Sequence, residues 1–131
     1  MGERGLYSVT EQPRGDISLP RYLGWLDDAA RDAGQASGAE RDHALLNFFK
    51  MRKSVVQVIH WFFGDPGLEV AAARDADPEQ QNAIALLRER LTDPAFAPGL
   101  SPLERAELEL LAEAPQDFIS CTARRGPRSK A

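Results

Sequence analysis

From residue 38 to residue 64 the apolar side chains recur with a period near 3.6 rather than 2, the spacing of a helix face. Leu45, Phe48, Phe49, Val55, Val56, Val58, Ile59, Phe62 and Phe63 share one broad face with Met51, and Asn47, Lys50, Ser54 and Gln57 fall opposite. Val55, Val56, Val58 and Ile59 alone would suit a strand, but the flanks hold the helical period for about five turns. The apolar arc covers roughly half the circumference, so this helix is expected to touch neighbours on two flanks. Two residues break the pattern. Arg52 projects into the apolar arc, where a guanidinium must either carry its head to water or meet a carboxylate; Asp27 and Glu107 are the candidate partners. Trp61 does the reverse and stands on the polar face, either covered by a loop or by Leu6, Tyr7 or Val9 of the N-terminal arm, or free to anchor a partner.

The rest of the chain is punctuated around that stretch. A first helix is expected from Ser18, with Pro20 in its opening turn; Leu19, Tyr22, Leu23, Leu26, Ala29, Ala30 and Ala33 form its stripe, and Arg21, Asp28, Arg31 and Asp32 face solvent. Gly34 stops it, and so short a connection makes it an antiparallel neighbour of the central helix. Asp65-Pro66, Asp77-Pro78, Asp93-Pro94 and Ser101-Pro102 then each place a capping side chain before a proline suited to the first helical position. They open a short helix over 66–74, a longer one over 78–91, a single turn at 95–97 and a helix over 102–114. Gln80 and Glu104 complete capping boxes with Asp77 and Ser101. The stripes Ala83, Ile84, Leu87, Leu91 and Leu103, Ala106, Leu110, Leu111, Ala114 should both face the central helix, and one further turn is expected over 117–121. The expected fold is all-α, a compact bundle of about four main helices with a long central helix. An irregular arm over 1–16, a helical domain over 17–122 and a basic flexible tail over 123–131 complete the layout.

With 131 residues, 43% hydrophobic and 27% charged, the chain suits one globular domain able to bury about two-thirds of its unfolded surface. A net charge of −4 argues against a surface that grips nucleic acid all over, because phosphate neutralisation needs a basic face. Cys121 is the only cysteine, which rules out an intramolecular disulfide and suits a reducing cytosol. The first fifteen residues lack the apolar core of a signal peptide, and no apolar run approaches the roughly twenty residues of a membrane span. A cytoplasmic protein without membrane contact is expected.

Little chemistry is legible. Glu40 and His43 have the Glu-x-x-His spacing of carboxylate-bridged di-iron bundles, but a second copy is required and His60 is preceded at the matching place by Gln57. His43 and His60 also lie on different faces of the helix. Cys121 lacks an evident histidine base, and no phosphate loop, paired catalytic carboxylates or serine elbow occurs. No metal, no cofactor and no enzymatic activity are expected.

The segment LSPLERAELELLAEA, residues 100–114, resembles the opening helix of the DNA-binding domains in LuxR-type regulators and in region 4 of sigma factors. The resemblance covers fifteen residues. In those families scaffold and recognition helices follow directly, whereas here Pro115 leads into a short stretch and a tail broken by glycine and proline, so the function does not carry over. The sequence therefore favours a small non-enzymatic interaction protein, such as a regulatory subunit, adaptor or assembly factor. It would bind a protein partner, or itself, through the face of Asn47, Lys50, Gln57 and Trp61. The alternative is a nucleic-acid-associated regulator using Lys50, Arg52, Lys53 and the tail residues Arg124, Arg125, Arg128 and Lys130.

Overall fold

The structure, a computed structural model, describes residues 18–124. Five helices follow one another: α1 (Leu19–Gln35), α2 (Gly38–Ala73), α3 (Pro78–Arg90), α4 (Pro102–Glu113) and α5 (Pro115–Arg124), with a 3-10 turn at Arg74–Ala76 between α2 and α3. No strand occurs among the described residues, so the class is all-α. No helix among them is long and apolar enough to cross a membrane. The N-terminal arm with Leu6, Tyr7 and Val9, and most of the basic tail, lie outside the described residues.

The helix starts follow the capping chemistry. Ser18 Oγ accepts from the Arg21 amide at 3.3 Å, with Pro20 in the first turn of α1. Ser101 and Glu104 exchange side-chain to backbone hydrogen bonds at 3.1 Å in both directions, a complete capping box at the start of α4. Asp77 Oδ2 accepts from the amides of Glu79 and Gln80, but Gln80 does not return the bond. Its side chain turns inward and is fully buried, so this box is one-sided.

The central helix is broken where Gly64 and Pro66 stand. Gly64 has φ 66° and ψ −156°, a conformation open essentially to glycine, and the 36-residue α2 is two segments meeting at that point. Pro66 lies in the first turn of the second segment, as its Asp65-Pro66 start requires. Gly67 lets the second segment fold closely over the first, because a Cβ there would stand 2.5 Å from Phe63 Cβ and 2.9 Å from Ile59 Cγ2.

Both flanks of α2 are covered. On one, α1 runs antiparallel: Tyr22 near its start meets Phe63 edge-to-face at 6.5 Å, and at the other end Arg41 Nε donates to the Ala36 carbonyl at 2.8 Å. On the other, α5 sets Phe118 against Phe49 at 6.2 Å. The bundle thus has one helix more than the four expected, because the segment after Pro115 is a helix of 10 residues rather than a single turn. Phe118, Ile119, Thr122 and Ala123 form its buried stripe, which extends the helical domain past residue 122. With α5 on that flank, α4 packs chiefly on α5 and α3 rather than on the central helix, and α3 packs chiefly on α1. The turn expected at 95–97 is irregular, with Ala97 at φ 54°. It delivers Phe96 into the core, where Arg90 stacks over its ring at 5.4 Å and Arg105 Nη1 donates to its carbonyl at 2.8 Å.

Candidate interaction face and the buried ionic centre

Arg52 sits within the apolar arc of α2 and is fully buried. Its Nη2 donates to Asp75 of the 3-10 turn and its Nη1 to Gln80 Oε1 of α3 at 3.3 Å. Gln80 Nε2 in turn donates to Asp27 Oδ1 of α1 at 3.0 Å, and Arg74 Nη2 meets Asp27 Oδ2 at 2.6 Å. The partner is therefore Asp75, with Asp27 reached through Gln80. Glu107, the other expected partner, instead holds Lys53 at 2.9 Å. Burial pulls the Arg52 guanidinium below its usual range, opposed by the Asp75 carboxylate. Burial likewise pushes the Asp75 carboxyl up, opposed by Arg52. The centre joins α1, α2, the 3-10 turn and α3, and its chemistry is structural: a buried charge whose removal would leave its carboxylate uncompensated.

This placement removes Arg52 from any surface patch. Of the other cations named for nucleic-acid contact, Lys50 is exposed, and Lys53 is partly buried and ion-paired. Lys53 and Lys50 both bear on Glu104 at the start of α4. Arg124 closes α5, while Arg125, Arg128 and Lys130 lie outside the described residues.

The outward face of α2 carries Asn47, Lys50 and Ser54, all exposed, and Trp61, with 41% of its surface accessible. Gln57 belongs to the same row but is half-buried, because its Nε2 donates to the Thr122 carbonyl of α5 at 3.4 Å. The face is thereby fixed along one edge by α5 and holds a large aromatic among polar groups, the form of an anchor with a polar rim.

Two exposed aromatics escaped the sequence reading. Trp25 on α1 is 44% accessible, with Tyr22 edge-on to it at 5.3 Å, and Phe62 is 43% accessible. Trp25 falls beside the stripe of α1 rather than on it, a signal that was present; Phe62 lies inside the apolar arc, between Met51 and Val55, so the periodicity places it inward and only the fold leaves it exposed. Glu40 and His43 share a recess of about 400 Å³ between α1 and α2 with Asp32, Ala44 and Asn47. Among the described residues no group of three or more His, Cys, Asp or Glu side chains could hold a metal ion. Compared with protein-family models, with curated proteins and with solved structures, the chain matches none of them.

Proposed function

We propose that this chain is a non-enzymatic interaction protein, a regulatory subunit, adaptor or assembly factor, which binds a protein partner through the outward face of α2. The observation that carries this reading is Trp61, 41% accessible on a row otherwise built of Asn47, Lys50, Ser54 and Gln57. Exposed tryptophans surrounded by polar neighbours are enriched among the few residues that dominate interface energy. The lone Cys121 suits action in a reducing compartment. A nucleic-acid role comes second, because Arg52 is buried and Lys53 is tied to Glu107.

The test uses the Trp25→Phe chain, in which Trp61 is the sole emitter. A protein captured from the source cell by this chain but not by its Trp61→Ala derivative is purified and titrated back. A blue shift and loss of quenching at Trp61 support the reading. Capture that survives Trp61→Ala with the emission unmoved refutes docking on this face.

A further inference from the structure

A second surface lies along the seam between α1 and α2, and meets the row of Trp61 only at Asn47, which lines the recess of Asp32 and Glu40. Arg21, Trp25, Asp28 and Asp32 are spaced by four, three and four residues, so they form one outward row along α1. All four are exposed. Asp28 is engaged by Arg31 at 2.9 Å, whereas the Arg21 and Asp32 side chains make no ion pair among the described residues. Asp32 also opens onto the recess of about 400 Å³ that holds Glu40. The row is thus basic at one end, aromatic in the middle and acidic at the other end.

Beside Trp25 stands Gly24, in the middle of a helix of 17 residues. A Cβ added there would meet nothing within 4 Å, so packing among the described residues does not call for glycine. Glycine in a helix interior costs stability relative to alanine. A bare backbone next to an exposed indole instead suits the close approach of something from outside.

We infer that the Arg21–Trp25–Asp32 row of α1 is the interface of a two-fold symmetric dimer, in which Arg21 of each copy enters the acidic recess of Asp32 and Glu40 on the other. The charges select the occupant. Rotating the row by two-fold symmetry about a point between residues 26 and 27 sets 21 against 32 and 25 against 28, so the surface is its own complement. The two indoles then lie within about 3 Å of the axis along the helix, each facing Asp28 of the other copy, and Gly24 lies about 4 Å from the axis, where its bare backbone lets the two helices approach.

Sedimentation equilibrium of the full chain from about 1 µM to about 1 mM should show a monomer passing to a dimer, as a modest interface of this kind forms in that range. Arg21→Asp and Asp32→Arg should each weaken the dimer by about tenfold or more, and an equimolar mixture of the two variants should form a heterodimer, because like charges then face opposite ones. Gly24→Leu should abolish the dimer while keeping the helical circular dichroism and a melting temperature at or above that of the parent. Trp61→Ala should leave the dimer intact, which separates this inference from the docking proposed for α2. A chain that stays monomeric throughout, charge variants that dimerise like the parent, or a mixture that does not heterodimerise would each overturn it. So would a dimer lost with Trp61→Ala, which would move the interface to the α2 face.

Discussion

Arg52 and Trp61 lie on the same helix, each with the wrong polarity for its row, and the protein resolves the two in opposite ways. At Arg52 the surrounding elements bring polar groups inward: Asp75 from the 3-10 turn and Gln80 from α3, with Asp27 of α1 behind Gln80. At Trp61 the described residues cover the side chain only in part and leave 41% of its surface accessible. The asymmetry follows from the costs. An uncompensated buried charge costs several kcal/mol, so the fold must supply partners. An exposed aromatic is tolerated on protein surfaces and can be kept for recognition. The first site is about the fold alone, and the second is where the proposed partner would dock.

The contrast is broken most directly at Arg52. Arg52→Ala should lower stability by about 3–5 kcal/mol, because Asp75 is left in a mostly buried site without its cation. Arg52→Met, which keeps the packing volume of the stem, should cost less. Urea unfolding of both variants checks the order, and two unchanged midpoints would mean that the centre is not structural. The join between the two segments of α2 comes next. Gly67→Ala forces a Cβ against Phe63 and Ile59, and an overpacked site of this kind should cost about 1–3 kcal/mol in the same assay. If the cost were nil, the close folding of the second segment over the first would be wrong.

A smaller effect belongs to α4, whose first turn faces Lys50 and Lys53. Ser101→Ala should cost about 1 kcal/mol by removing the cap. The amide of Ser101 holds the Glu104 carboxyl below the usual carboxylate range, with Lys53 and Lys50 adding to the effect. A carboxyl whose value is depressed by folding adds stability that is present above its unfolded value and lost as pH falls through the folded one. Thermal melts from neutral to acid pH should therefore show a shallower acid limb for Glu104→Gln. The smallest change in stability is expected at Trp61→Ala, within about 0.5 kcal/mol of the parent, as for surface substitutions away from caps and buried networks. A larger loss would mean that Trp61 serves the fold like Arg52, and the comparison would collapse.

Helix starts were legible because each depends on groups within a turn of one another. Ser18, Asp77 and Ser101 cap their helices through contacts spanning two or three residues, and Gly64 and Pro66 divide α2 through the backbone conformations those two residues favour. That Arg52 needs a partner was also legible, since the helical period alone places it in the apolar arc. Which partner it takes was not. Asp75 lies 23 positions away and Asp27, linked through Gln80, stands 53 from that glutamine, separations that only packing can close. The same reason hid the inward turn of Gln80, whose local capping bond gave way to the buried centre. For α5 the sequence predicts only a turn, because Ala114 offers no side-chain acceptor before Pro115 and the first local signal is missing; its Phe118–Ile119 and Thr122–Ala123 stripe is a helix face against α2. The polar row that carries Trp61 came from the sequence. Whether α5 would border it, through Gln57 and Thr122, was decided only when the chain folded, because one long helix has two flanks and its own residues do not say what fills each.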